Sequence, residues 1–337
     1  MNKKNLFVIA SPLQFLNAIE AMKAFETKNN ILLLMYDTKM NNIDAQQKKD
    51  LIVKNDWEKI IEYDLGTVKK NIRLFSQVKL IKRLKEFKYN YIISGEEGTF
   101  NRILFANLIS NSIYLVDDGT ATILTYLKEK DNYYSKLPFT KRLKYIRYML
   151  FGLKYINKNK IIFFTTFNIE STENIKVVKH NFNYLKSKIE KENKCSNIYF
   201  LGQSLVSAGY LEQKSYIEYI EKVISYYSNK NIIYIPHRSE IINKDYNKFI
   251  NERFQIIESV GPIETTFINN KIYPQIIISF FSSALFTLEK IFPDSNILSI
   301  EIDKEAVALD KINIIDKCYK SFDNTNISII SLNNKSV

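Results

Sequence analysis

Ile232-Ile233-Tyr234-Ile235-Pro236-His237-Arg238-Ser239-Glu240 is the stretch from which the rest of the chain can be read. Its first four residues are apolar and mostly β-branched, which predicts a strand. Proline has no N–H to give to a ladder and ends it, and a histidine and an arginine follow at once. In an open parallel sheet, ligands bind in the crevice beyond the carboxyl ends of the strands. The stretch therefore predicts both a parallel α/β sheet and the edge on which its chemistry lies. A histidine can donate to, or protonate, a leaving anion near neutral pH, and the adjacent guanidinium adds fixed positive charge. Alone, the run reads better as a loop that its histidine merely caps. Three further motifs at equivalent places reverse that.

Outward from this strand, short apolar runs alternate with amphipathic stretches along most of the chain, the pattern of βαβ units. Strands are expected over 6–10, 31–36, 59–63, 89–93, 112–116 and 161–165, then over 198–201, 232–235, 255–258, 276–279 and 297–300. Helices are expected between them, for instance over 13–25, 68–87, 100–109, 213–228, 241–250, 283–290 and 304–311. The polar, lysine- and asparagine-rich segment 168–195 reads as a linker. The expected fold class is α/β, with two Rossmann-like domains of the GT-B type, each a parallel sheet flanked by helices. The first domain is 1–167 and the second is 196–316. The tail 317–337 is expected to return to the first domain or to fray. Fold alone licenses no function.

Composition narrows the classes. With 46% hydrophobic and 25% charged residues, and only 8 glycines and 6 prolines, the chain is globular, not low-complexity. A net charge of +12 suits nucleic acid, an anionic membrane surface or a phosphorylated substrate; solvated lysine is the plainer reading. Cys195 and Cys318 are too few for a disulfide framework and lack metal-ligand spacing. No signal peptide or 20-residue apolar span is visible, so the expected location is the cytoplasm, including the inner face of the plasma membrane. Nucleic acid is not expected as a partner, because no recognition motif accompanies the cations. Oligomeric state stays open.

Asp117-Asp118-Gly119-Thr120 follows the apolar run 113–116. Two carboxylates at a strand end repel, which raises the proton affinity of one, and such a base can take a proton from an attacking hydroxyl. An Asp-Gly turn is the plain alternative. Glu96-Glu97-Gly98 is a rival copy, so Asp117, Asp118 and Glu97 stay open as the base, with Asp118 preferred. Glu264, in Gly261-Pro262-Ile263-Glu264, is placed to hold a ribose diol or simply to start a helix. Ser282 and Ser283 lie where an apolar strand runs into a helix, a place for a phosphate or an ordinary N-cap. Gln203, after the strand 198–201, can line the same edge. No P-loop, dinucleotide fingerprint, HExxH or convincing Asp-x-Asp occurs. The stretch 141–154 is basic and amphipathic; it suits anionic lipid or an acidic polysaccharide. Its plainer reading is a helix packed through Leu143, Ile146 and Leu150 with lysines outward.

The acidic-acidic-glycine motif, the Pro236-His237 pair and the serine pair, in this order, resemble motifs of bacterial sialyltransferases. With the opening Phe7-Val8-Ile9-Ala10-Ser11-Pro12-Leu13-Gln14 the chain resembles glycosyltransferase family 52, whose members decorate capsules and lipooligosaccharides. The resemblance implies inverting transfer of sialic acid from CMP-sialic acid to a galactoside hydroxyl, in α-2,3 linkage, on a galactose-terminated glycan. Asp118 would be the base and His237, with Arg238, would assist the departing CMP phosphate. Ser282 and Ser283 would bind that phosphate, Glu264 the ribose, and Asp117, Gly119 and Gln203 would also line the substrate. No cofactor and no metal are implied, since histidine, arginine and a helix N-terminus can neutralise one phosphate. One departure is that the proline precedes the histidine here. The alternatives are a GT-B enzyme using a UDP- or GDP-sugar, and a non-catalytic glycan- or membrane-binding protein.

Overall fold

Along β1 (Lys4–Ile9) successive side chains enter two different cores: Leu6 and Val8 on one face, Phe7 and Ile9 on the other. A strand buried on both faces belongs in the middle of a parallel sheet with helices on each side. The computed structural model describes residues 3–119, 121–131, 133, 136, 138–155, 160–190, 194–259 and 261–332. Its first sheet has seven strands: β1, β2 (Asn30–Tyr36), β3 (Lys59–Asp64), β4 (Lys88–Ser94), β5 (Ile109–Val116), β6 (Ile161–Thr165) and β7 (Lys176–Lys179). They run parallel in the order β3-β2-β1-β4-β5-β6-β7. The helices Arg73–Leu84 and Thr99–Asn107 fill one face, and Pro12–Ala24 with Trp57 the other. Each fully buried large apolar side chain contributes about 1.5–3 kcal/mol.

The second sheet has β8 (Lys194–Leu201), β9 (Ile232–Ile235), β10 (Phe254–Ile256), β11 (Tyr273–Ser279), β12 (Asn296–Ile300) and β13 (Ile327–Ile330). They too are parallel, in the order β10-β9-β8-β11-β12-β13. The chain divides into compact units after Tyr184. In each sheet the chain reverses direction of addition beside its first strand, between β1 and β4 and between β8 and β11. Those are the topological switch points where open α/β sheets bind ligands.

The two parallel α/β units match the expected fold class. Their boundaries need correction. The expected linker 168–195 carries β7, which pairs with β6, and the start of β8. The tail expected to return to the first domain instead adds β13 to the second sheet through β12. The expected helices 241–250 and 304–311 are 3-10 turns, Lys244–Phe249, Lys304–Ala306 and Leu309–Lys311. Among the described residues no helix is long and apolar enough to cross a membrane.

Candidate functional site

At the first switch point three strand ends lie side by side. β1 leads to Ser11, which caps the helix Pro12–Ala24: its Oγ accepts from the Gln14 N–H at 3.2 Å. The same hydroxyl donates to Asp118 Oδ1 at 3.0 Å, tying the β1 loop to the end of β5. Asp118 is half-buried, and its N–H donates to Thr122 Oγ1 at 2.9 Å. Gly119, at φ 61°, takes the left-handed turn that releases the chain; Thr120 lies outside the described residues. Lys48 anchors the loop from behind. Its buried ammonium donates to Ala10 O at 2.8 Å and Met35 O at 2.9 Å, and pairs with Asp44 at 2.6 Å.

The two adjacent aspartates have different surroundings. Asp117 faces inward and is buried: Thr165 Oγ1 donates to it at 2.5 Å, the Thr166 N–H at 2.7 Å and Thr166 Oγ1 at 3.0 Å. Burial pushes its carboxyl up to about 6 against the pull of those donors. The expected substrate contact of Asp117 is thus replaced by an internal one, because β6 ends beside it and supplies both threonines. Asp118 is the acid left at the edge. The rival Glu97 is also buried, in an ion pair with Arg102. The carboxyl that shares the edge with Asp118 is its neighbour Glu96, raised by burial and by the Asp118 charge and pulled back by Lys48. The sequence reading quoted Glu96 within the rival motif but took Glu97 as its acid, and it passed over Lys48; only strand adjacency brings them in.

In the second unit the His237 loop is fastened by Glu240. One carboxylate oxygen accepts from the His237 N–H at 3.0 Å; the other accepts from Tyr246 Oη at 2.7 Å and from Tyr234 Oη. Tyr234 and Tyr216 hydroxyls lie 3.0 Å apart, and the Gln203 N–H donates to Tyr216 Oη at 3.0 Å. This buried chain links the ends of β8 and β9. Gly202 permits it, since a Cβ there would strike the Glu240 carboxylate and come within 2.6 Å of Tyr234 Oη. His237 Nδ1 accepts from the Ser239 N–H at 3.1 Å, so the neutral ring carries its proton on Nε2. Burial first, then Arg238, lowers its pKa, which keeps the imidazole neutral. Arg238 is exposed beside it.

Across the second switch point, Ser282 Oγ accepts from the Ala284 N–H at 3.3 Å, and Ser283 sits at the N-cap of Ala284–Ile291 without a side-chain capping bond. Glu264 is buried and accepts from Thr287 Oγ1, which joins the helices Ile263–Asn269 and Ala284–Ile291. Burial raises its carboxyl. Gln203, His237, Arg238, Ser282 and Ser283 therefore line one edge of the second sheet, while Asp118 and Gly119 belong to the first. Among the described residues no group of three His, Cys, Asp or Glu side chains could hold a metal ion.

Residues 5–301 match the model of the alpha-2,8-polysialyltransferase (POLYST) family. The chain belongs to that family. The polysialyltransferase match spans both units and every site residue named above. It supports the sialyltransferase part of the sequence resemblance without naming family 52. No curated protein matches significantly. Among solved structures, a Listeria monocytogenes protein assigned as a UDP-N-acetylglucosamine 2-epimerase is similar over 96% of this chain and 89% of its own, at 12% identity and TM-score 0.55. Phytolacca americana UGT2, complexed with UDP-2fluoro-glucose and pterostilbene, aligns over 89% and 80% at 12% identity and TM-score 0.48. Acinetobacter baumannii MurG aligns over 98% and 87% at 10% identity and TM-score 0.46. At such identities the likeness speaks to the GT-B fold alone, and the first of the three carries it.

Proposed function

We propose that this polysialyltransferase-family protein transfers sialic acid from CMP-sialic acid to the C8 hydroxyl of a sialic-acid-terminated glycan. The family match carries this reading and favours α-2,8 linkage to a sialyl acceptor over the α-2,3 transfer to galactose expected from the sequence. Asp118 takes the proton of the acceptor hydroxyl, whose oxygen attacks the anomeric carbon of the donor. The bond from that carbon to the CMP phosphate breaks, and the leaving phosphate accepts a hydrogen bond from the Nε2–H of His237, the released proton resting on Asp118. Because the transition state resembles an oxocarbenium ion, donors aimed at the departing phosphate lower the barrier most. Arg238, Ser282 and Ser283 supply them and Gln203 lines the nucleotide edge, while Glu264, expected at the ribose, is buried against Thr287 and braces the helix behind Ser283 instead. The Ser11 hydroxyl, donated to Asp118 Oδ1, fixes the base for the incoming hydroxyl.

The test is CMP release from CMP-sialic acid in EDTA, with sialyllactose, lactose or no acceptor. Expected is release stimulated by sialyllactose and lowered about 100-fold or more in both Asp118→Asn and His237→Ala, in line with general acid–base contributions. Stimulation by lactose alone would return the linkage to the galactoside reading. No release from a folded protein, with turnover of a UDP- or GDP-sugar instead, would overturn the donor assignment.

A further inference from the structure

The helix Phe139–Ile146 and the turn Met149–Phe151 do not pack as their periodicity predicts. Leu143, expected inward, is half-exposed, and Leu150 is 83% exposed. The inward anchors are Tyr145 and Tyr148, the latter donating to Gln77 Oε1 at 2.5 Å on the helix Arg73–Leu84. That helix lies alongside: the Phe75 and Phe151 rings meet edge to face at 5.1 Å. Phe75 is itself 58% exposed, and Ile72 and Met149 are about half so. Two touching segments of the first unit therefore present five large apolar side chains to solvent.

The surrounding charge is of one sign. Residues 65–85 hold seven Lys or Arg and residues 138–155 hold five, with no Asp or Glu in either. These twelve cations equal the net charge of the whole chain, +12, so the remaining residues balance to zero. The excess positive charge of the chain thus equals that of the two stretches that carry this face. The Lys144 ammonium and the Arg147 guanidinium lie 5.2 Å and 5.4 Å from the Tyr145 and Tyr148 ring centres.

We propose that this face docks on an anionic lipid surface, with Ile72, Phe75, Leu143, Met149 and Leu150 entering the headgroup–acyl boundary and the cations resting on the headgroups. Charge complementarity selects an anionic occupant. The protruding apolar side chains select lipid over an acidic polysaccharide, because a hydrated glycan gains nothing from Leu150 or Phe75, whereas the acyl boundary buries them. The inference does not depend on the sialyl-transfer reading.

The test is sedimentation of the full chain with vesicles of phosphatidylcholine alone or mixed with phosphatidylglycerol, at low and physiological salt. Expected is binding to the mixed vesicles only, weakened at least tenfold in Phe75→Ser/Leu150→Ser and in Lys141→Gln/Lys144→Gln/Arg147→Gln. Both variants alter exposed side chains and should unfold at the wild-type temperature. In Leu150→Trp, emission should shift to the blue on binding and be quenched by brominated acyl chains; Trp57, the only native tryptophan, is buried. Equal binding to both vesicle types, or undiminished binding of the serine variant, would overturn the proposal. So would polysialic acid binding that both variants lose while no vesicle binds.

Discussion

Behind Asp118 two buried groups of opposite tendency face each other, His180 Nε2 at 3.8 Å from Asp117 Oδ2. His180 stacks on Phe164, ring centres 4.2 Å apart, and burial pushes its pKa from 6.5 down to about 3. Asp117 is pushed by burial from 3.8 up to about 6. A depressed histidine contributes stability that is present above 6.5 and lost as pH falls, since only the unfolded ring binds a proton there. A raised aspartate does the reverse: its contribution is complete below 3.8 and lost as pH rises through about 6. Each slope is about 1.4 kcal/mol per pH unit. Between about pH 6 and 4 they oppose, and the wild-type contribution of the pair is nearly flat. His180→Phe keeps the stack and removes one slope. Relative to wild type it should gain about 3 kcal/mol on going from pH 6.5 to 4, whereas Asp117→Asn should lose about 2–3 kcal/mol over nearly the same window. Urea unfolding followed by Trp57 fluorescence reads the first unit specifically, as that indole is buried there against Phe7 and Phe15. If the wild-type and His180→Phe stability curves run parallel with pH, the imidazole titrates in the fold as it does unfolded, and the burial argument is wrong.

Glu240→Ala strands Tyr246 Oη and the His237 N–H while Tyr234 can turn to Tyr216. It should cost about 2–4 kcal/mol in urea unfolding and lower turnover; Glu240→Gln should cost less than half as much, and a loss under about 1 kcal/mol for alanine would remove the anchoring role. Lys48→Met leaves two strand-end carbonyls and Asp44 without their cation. About 3–5 kcal/mol should be lost from the Trp57-reported transition, and transfer should fall as Ser11 loosens; an unchanged transition would refute the anchor.

Much of this was legible because parallel strands are buried on both faces and read as plain apolar runs. β2 (Asn30–Tyr36) is buried at every position and β9 begins where the β-branched run begins. Strand ends then located Asp118, His237 and Ser282 at sheet edges. β7, Lys176-Val177-Val178-Lys179, escaped because a four-residue edge strand with lysines at both ends carries no apolar run. β13 escaped because 327–330 follows polar turns near the chain end, and only its pairing with β12 makes it a strand. Which aspartate faces inward is also invisible in sequence. Thr165 and Thr166 decide it, and they are 48 or more residues away. Leu150 misled for a related reason: helical periodicity assumes one continuous helix, but the helix ends at Ile146 and the chain turns before Leu150.

The two sheet edges solve one physical problem in the same way. A side chain that must move a proton has to stay partly in solvent, where a loop alone would leave it loosely placed. In each unit a carboxylate engaged by internal donors holds the loop at the edge: buried Asp117 binds Thr165 and Thr166 beneath Asp118, and half-buried Glu240 binds Tyr234, Tyr246 and the His237 N–H beneath His237. Both anchoring carboxyls are raised by burial, and both are surrounded by donors that favour their ionised form. Protonating either one replaces an acceptor with a donor against the same N–H and O–H groups, which changes how the loop is held. It follows that activity on the acid side should depend on the anchors. Asp118→Asn should remove turnover at every pH, whereas Glu240→Gln should lower it while flattening the acid limb. If Glu240→Gln leaves that limb unchanged, Glu240 only holds the fold.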